Sequence, residues 1–305
     1  MPIDRLIRWL RDRLERWTFY LVLLVGGLAL WFPAPGRALD NGDSVYVTLA
    51  VLVFTAGLTV DLASLAAIQR TRWRLLVALV ASSLLLPLLA WGLSQFVNGQ
   101  LHDAMLAVGV APSEVASLAL VGLGAGDVVT AATLVLTSTV VTIAVAGPVL
   151  NLFAHTSHLN VMGLAVTLVL VVAIPLLLGV GVGTRLLPTG TVRALGVVVG
   201  TLALLVLIWE VASQVVPEIS YLIGAALLVV FIVGACLLGA VLSFGTSKPV
   251  RTGIIMPVAI RDFAIAAGIA TAAFGAKSTG LLGVYGLLVL VAGTLAARRL
   301  AGSSS

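Results

Sequence analysis

Long apolar runs separated by short polar segments fill most of the chain. Ten of these runs are each close to the roughly 20 residues that a helix needs to cross a bilayer. Their approximate limits are 18–33, 44–67, 74–97, 103–124, 127–152, 160–184, 192–213, 218–243, 249–275 and 279–297. The pattern predicts an all-α membrane protein with ten transmembrane helices, and an even number of spans places both termini on one side.

Residues 1–17 have a different pattern, in which apolar and basic positions alternate at helical spacing. Ile3, Leu6 and Leu10 lie on one face, and five arginines lie among them. This predicts an amphipathic helix that lies in the interface against anionic lipid. A helix of the kind that calmodulin binds has a similar pattern and is the alternative. The closing Ala-Gly-Ser-Ser-Ser predicts a disordered tail over residues 300–305.

The composition agrees with a membrane protein, because 61% of the 305 residues are hydrophobic and only 10% are charged. A soluble domain is about a quarter charged. The basic residues fall in short loops between apolar runs, as membrane topology requires, so the high pI does not predict nucleic-acid binding. The single cysteine, Cys236, forms no internal disulfide, and no motif predicts a cofactor.

The positive charges are distributed unequally between the two sides of the predicted membrane. One side carries 14 of the 17 lysines and arginines. The other side carries Arg37 and Lys277, and Arg261 lies within an apolar run. Because positive loops remain in the cytoplasm, both termini are predicted to be cytoplasmic, in the cytoplasmic (inner) membrane, with loops 97–103 and 152–160 outside.

The order of the runs indicates an internal repeat. The sixth run begins about 142 residues after the first, and only the fourth and ninth are interrupted by proline next to charge. Five spans per half is an odd number, so the halves, residues 18–152 and 160–299, are predicted to be inverted repeats. In such proteins the binding site lies at the repeat interface near the midplane.

The two interrupted runs contain Pro112-Ser113-Glu114 and Pro257, with Arg261-Asp262 following it. Proline removes a backbone donor, so both helices are predicted to be non-helical for a few residues around Pro112 and Pro257. The second break is expected just before the charges, and the two breaks are expected close together. Charges at these depths cost several kcal/mol unless they face protein or water, and they are functional by default.

Several short segments resemble the bile acid:sodium symporter family. They are residues 54–61 (FTAGLTVD), 84–90 (LLLPLLA), 112–117 (PSEVAS) and 123–128 (LGAGDV), followed by Ser138-Thr139 and Pro148. The resemblance implies a panel domain of spans one, two, six and seven, and a core domain of the other six, in which broken spans four and nine cross. It also implies organic anions as substrates and sodium as the coupling ion.

The chain departs from the family at the positions of the sodium ligands. In an ungapped match these positions hold Ser117, Leu118, Ala131, Val135, Pro257 and Arg261. Sodium, a hard cation, needs several oxygen ligands, which most of these side chains lack. The sodium sites are therefore mostly absent, unless Thr130, Thr133 or Thr137 provides oxygen through a shifted register.

Four charges are predicted at or near the crossing: Glu114, Asp127, Arg261 and Asp262. In the functional interpretation, Arg261 supplies fixed positive charge where the family binds sodium, and Glu114 or Asp262 binds a proton or competes with the substrate. A carboxylate can carry a proton, whereas arginine stays protonated. The alternative is a static ion pair that ties spans four and nine together. For Asp127 the alternative is an interfacial position at the start of span five.

The predicted substrate- or ion-binding residues are Pro112, Ser113, Glu114, Ser117, Asp127, Thr130, Thr133, Pro257, Arg261 and Asp262. No catalytic or metal-ligating residue is predicted. Glu210 is expected to be solvated near the outer interface, and His102, His155 and His158 are expected in solvated outer loops.

The leading hypothesis is a secondary transporter of a small organic anion that works by alternating access. Alternatives are a proton-coupled or uncoupled exporter of the same superfamily, resembling arsenite permeases, and a channel lined by the broken helices. Arsenite permeases rely on a cysteine in span four, which this chain lacks. An intramembrane enzyme is disfavoured because no span contains histidine or a Gly-x-Ser-x-Gly motif.

Overall fold

A computed structural model of the chain describes residues 3–39, 43–58, 72–154, 159–186, 190–216 and 218–302. All regular secondary structure in these ranges is helical, apart from one isolated backbone bridge. The α-helices are α1 (Ile3–Trp31), α2 (Pro33–Leu39), α3 (Asp43–Gly57), α4 (Arg72–Ser94), α5 (Gln100–Val110), α6 (Ser117–Leu123), α7 (Val128–Phe153), α8 (Val161–Leu168), α9 (Ile174–Leu186), α10 (Gly190–Ala212), α11 (Ile219–Leu242), α12 (Lys248–Ala259), α13 (Phe263–Phe274) and α14 (Gly280–Gly302). A π-helical segment, Val169–Ala173, joins α8 to α9, and a 3-10 turn, Ala276–Thr279, precedes α14.

The helices follow the apolar runs of the sequence. Within the described ranges, six helices are long and apolar enough to cross a membrane, or seven if α1 and α2, bent by 92° at their junction, form one span. The shorter apolar helices α3 and α13 lie in two further runs. The prediction of an all-α membrane protein is confirmed, whereas ten spans remain a prediction.

The two ends of the chain are more helical than the sequence pattern indicates. The described part of the amphipathic segment, from Ile3, continues into the first apolar run as one unbroken helix, α1. At the other end, α14 reaches Gly302, so three residues of the predicted disordered tail, 300–302, are helical, and residues 303–305 lie outside the described part.

The helices pack as two groups. In the first, which we name the panel group, α1 packs against α10, and α3 packs against α9 and α10. In the second, named the core group and consisting of α4–α7 and α11–α14, α4 packs against α5, α7 and α11, and α11 packs against α12. The family resemblance implies panel and core domains with these members, and that division remains a prediction.

Glycines allow very close packing between α3 and α9. A Cβ atom at Gly57 would lie 2.6 Å from the Leu176 carbonyl oxygen. A Cβ at Gly179 would overlap the carbonyl oxygen of Phe54 and lie 3.0 Å from the Gly57 Cα. Without side chains at these two positions the backbones touch, which is how small residues join helices in membranes.

Two interruptions in the core group confirm one sequence prediction and correct another. The first lies between α5 and α6 and contains Pro112, as predicted. The second lies at residues 260–262, so the helix is interrupted at the charges as predicted, but three residues after Pro257, which stays inside α12. Proline removes only its own N–H, and the Ile260 N–H still donates to the Met256 carbonyl at 3.0 Å, which keeps α12 helical to Ala259.

Candidate substrate site at the helix crossover

The two interruptions meet and pair with each other through their backbones. Ser113 and Arg261 form an antiparallel bridge. The Glu114 N–H donates to the Ile260 carbonyl at 2.9 Å, and the Asp262 N–H donates to the Pro112 carbonyl at 2.7 Å. Backbone groups in a bilayer need partners within the protein, and here each break supplies them to the other. The predicted proximity of the breaks is confirmed.

The remaining N–H groups at the centre of this crossover are bound by two side chains. The Ser113 N–H donates to Ser138 Oγ of α7 at 3.0 Å, and the Arg261 N–H donates to Tyr285 Oη of α14 at 2.9 Å. Neither acceptor was among the predicted site residues. Their signal in the sequence is a hydroxyl inside an apolar run, at nearly equivalent positions of the two halves.

Removing the Tyr285 hydroxyl tests this arrangement. We expect Tyr285→Phe to lower the free energy of unfolding by about 1–3 kcal/mol, because it leaves the buried Arg261 N–H without a hydrogen-bond acceptor. Ser138→Ala should cost a similar amount. Thermal unfolding of purified protein measures both, and Tyr46→Phe, at a half-buried tyrosine of α3, is the control. Equal unfolding temperatures for Tyr285→Phe and the control would contradict the role of the hydroxyl.

Side chains alternate in direction through the two extended segments, and this places both carboxylates on one face. Glu114 and Asp262 line a large cavity together, as does Ile260, whereas Ser113 and Arg261 do not. Successive side chains of an extended segment point to opposite faces, which explains the division. The crossover therefore presents two carboxylates to one space and its arginine to another.

Both carboxylates accept backbone hydrogen bonds at the start of the second half-helices. Asp262 caps α13 by accepting the Ile265 N–H at 2.8 Å. Glu114 reaches across from the other half and accepts the Phe263 N–H at 3.3 Å, while its second oxygen accepts the Ala116 N–H at 3.4 Å. Each carboxylate is thus held in position and keeps further acceptor capacity for a proton or a ligand.

The cavity has a volume of about 590 Å³ and lies between the panel and core groups. The panel group contributes Thr55 and Thr201, and the core group contributes Ser117 and Thr139. Most of the remaining wall is aliphatic. Among the described residues, Glu114 and Asp262 are the charged groups that line it. A cavity of this size that is apolar and has a few convergent polar groups is typical of a site for a small organic molecule.

Arg261 is only 2% exposed and turns away from this cavity. Its side chain lines a separate small cavity of about 10 Å³ between α4, α5 and α7. In the part of the chain that the structure describes, it forms no salt bridge, and its Nε and Nη1 atoms have no hydrogen-bond partner. The alternative of a static ion pair between spans four and nine is therefore wrong, and backbone hydrogen bonds join the spans instead.

Asp127, Thr130 and Thr133 lie apart from the crossover. Asp127 caps α7, accepting the Val129 N–H at 3.0 Å and the Thr130 hydroxyl at 2.7 Å. Ser138, at the crossover, lies 11 residues further along the helix, or about 16 Å at 1.5 Å per residue. Thr133 donates its hydroxyl to the Val129 carbonyl at 3.0 Å.

The described residues do not fit a sodium site of the kind that the family resemblance implies. Leu118 and Val135, at two of the ligand positions, line the large cavity with hydrocarbon, and Ala131 is fully buried. The Thr130 hydroxyl bonds to Asp127, and those of Thr133 and Thr137 bond to carbonyls of their own helix. No shifted set of threonines gathers at the crossover.

Two residues that were predicted to be solvated are buried. Glu210 is 2% exposed because α2 folds back against the end of α10, where a Cβ at Gly36 would meet the Ser213 side chain. His102 is 7% exposed because it lies in α5, within the core group, and its Nδ1 is 3.4 Å from Asp103 Oδ1. His155 and His158 lie outside the described residues.

Comparison with known protein families agrees with this architecture. The chain matches the family model described as "Sodium Bile acid symporter family" over residues 46–225, which is more than half of its length. No curated protein matches the chain in sequence. The matched region includes most of α3, the first interruption, α7, α9 and α10, so it covers the residues that carried the resemblance. The chain therefore belongs to the sodium bile acid symporter family.

Proposed function

We propose that this protein is a secondary active transporter that moves a small amphipathic organic anion across the cytoplasmic membrane by alternating access. The observation that carries the proposal is the large cavity between the panel and core groups, with two carboxylates at the crossover of two broken helices. The family supports the substrate class, since bile acids are amphipathic anions that fit an apolar wall with few polar groups.

The packing pattern supports ten spans arranged as two inverted repeats. The contact of α1 with α10 has its counterpart in the contact of α9 with α3. In the same way, the contact of α4 with α5 corresponds to the contact of α11 with α12. The contact of α12 with α7 corresponds to that of α5 with α14. The repeat relates Ser113 to Arg261 and therefore Glu114 to Asp262, so the two carboxylates occupy equivalent positions of residues 18–152 and 160–299.

Alternating access then follows from the position of the cavity at the boundary of two packed bodies. Sliding or rocking of the core group against the panel group would expose Glu114 and Asp262 first to one side of the membrane and then to the other. The crossover stays intact during this motion because its hydrogen bonds lie within the core group.

The proposed coupling ion is the proton. Of the six positions that bind sodium in the family, Ser117 keeps a hydroxyl and the other five hold hydrocarbon or arginine here. Glu114 and Asp262 line the cavity and can each carry one proton. A protonated carboxylate also donates a hydrogen bond, which an anionic head group accepts, so binding of the proton and of the anion would favour each other.

Counterflow in proteoliposomes tests the carrier hypothesis. We expect vesicles preloaded with unlabelled taurocholate to accumulate external radiolabelled taurocholate transiently, with a rate that saturates. A panel of other amphipathic anions, tested as competitors of binding, would identify a preferred substrate. Flux that neither saturates nor shows counterflow with any bound anion would identify a channel and contradict the proposal.

The proposed orientation places both termini in the cytoplasm. In a Cys236→Ala background, we expect a membrane-impermeant maleimide to label Asn98→Cys, after α4, in intact cells. Ser247→Cys, just before α12, should react only after permeabilisation, because the excess of positive charge lies on its side. Both residues are exposed in loops, so access rather than burial decides the result. The reverse labelling pattern would refute the orientation.

A further inference from the structure

We propose that the Arg261 guanidinium binds a monovalent anion the size of a halide in the small cavity between α4, α5 and α7. This site is distinct from the substrate cavity and does not depend on the proposed transport function. Its wall consists of residues from three helices of the core group: Ser83, Pro87, Val110, Val141, Thr142, Val145 and Ala146.

The first reason is the unsatisfied hydrogen-bonding capacity of a buried cation. Arg261 is 2% exposed, and its Nε and Nη1 donors have no partner among the described residues. Arginine retains its proton in proteins, so the positive charge stays in place. A buried charge without a hydrogen-bonded counter-charge is destabilising, which favours an acceptor that carries negative charge.

The second reason is that no carboxylate among the described residues forms a salt bridge with Arg261. Asp262, its neighbour in the chain, attracts it only through space, from the opposite face of the extended segment. Glu114 and Asp262 line the other cavity, and their oxygens accept backbone N–H groups there. No carboxylate lines the small cavity. Thr142 donates its hydroxyl to the Val110 carbonyl at 3.2 Å, so Ser83 is the wall residue whose hydroxyl supplements the guanidinium as a donor.

The volume limits the chemical class of the ligand. A cavity of about 10 Å³ holds about one particle of the size of water. A halide ion needs only a small expansion, whereas sulfate, phosphate and organic anions are too large. A single water would satisfy the two donors but would leave the charge uncompensated, so a halide is favoured.

Thermal unfolding of the full-length protein in an uncharged detergent tests the site. Potassium chloride is compared with potassium gluconate at equal ionic strength and pH. We expect chloride at ten times its Kd to raise the Tm of the unmodified protein by about 3 °C. The rise should saturate with concentration and be reproduced by bromide but not by sulfate.

Two variants and one control locate the effect. Arg261→Gln should lose the halide-dependent shift, whereas Arg251→Gln, at an exposed arginine of the preceding helix α12, should keep it. Ser83→Leu fills the cavity while leaving Arg261 in place, so it should also lose the shift, and it serves as the test if Arg261→Gln does not fold. An anomalous bromide peak beside Arg261 in crystals would support the proposal directly.

The proposal is overturned if the unmodified protein unfolds at the same temperature in chloride and gluconate, which would indicate that water alone fills the cavity. It is also overturned if Arg261→Gln or Ser83→Leu shows the full shift, because the halide would then act elsewhere.

Discussion

Taurocholate uptake into proteoliposomes should be equally fast in potassium and in sodium, and an inward proton gradient should drive its accumulation. Three of the positions that bind sodium in the family hold Leu118, Ala131 and Val135, whose side chains offer no oxygen to a hard cation. Glu114 and Asp262 line the cavity instead, and each can carry a proton.

The double variant Glu114→Gln/Asp262→Asn should abolish proton-driven accumulation. One proton moving down a gradient of one pH unit supports about tenfold accumulation, since one unit is about 1.4 kcal/mol. The variant should fall to an accumulation ratio of about one while still exchanging labelled for unlabelled taurocholate. Glu218→Gln, at an exposed carboxylate before α11, is the matched control and should accumulate normally. Accumulation that requires sodium in the unmodified protein would contradict proton coupling.

Alanine at Gly179 should destabilise the protein by about 3 kcal/mol, the upper part of the range for overpacking. The new methyl group would overlap the Phe54 carbonyl oxygen, which belongs to the backbone of α3 and cannot rotate away. The panel group would have to separate at this contact. Chemical or thermal unfolding of purified protein in detergent measures the loss.

Gly181→Ala, two residues further along the same helix α9, provides the control. Nothing lies within 4 Å of a Cβ atom there, so the substitution should stabilise the helix by about 0.5–1 kcal/mol through its propensity alone. The two alanine variants therefore have opposite expected signs. If Gly179→Ala is as stable as Gly181→Ala, the backbones of α3 and α9 do not touch.

Local features of the structure were predictable from the sequence, because they depend on neighbouring residues. The apolar runs mark the helices, and Pro112 marks the first break. For the second break, the sequence pattern points to Pro257, because proline removes a backbone donor. The structure shows that a break forms where a distant segment supplies backbone partners, and Ile260 and Asp262 receive theirs from residues 112–114.

The direction of Arg261 was not predictable for a related reason. Within a helix, Arg261 and Asp262 would lie about 100° apart, and both could face one cavity. In the extended segment that actually forms, they point to opposite faces. The roles of Ser138 and Tyr285 depend on the same segment, because their hydroxyls are needed only where helical hydrogen bonding stops. The pairing of residues 112–114 with residues 260–262 therefore sets the direction of Arg261, which the local sequence pattern does not determine.

The exchange of backbone hydrogen bonds at the crossover also constrains how the protein is made. When the ribosome has inserted the first half, the Glu114 N–H and the Pro112 carbonyl have as yet no partner, since Ile260 and Asp262 have not been synthesised. Unpaired backbone groups in hydrocarbon are costly. The first half should therefore remain incompletely folded, and accessible to membrane chaperones and proteases, until α12 and α13 are inserted and supply the missing hydrogen-bond partners.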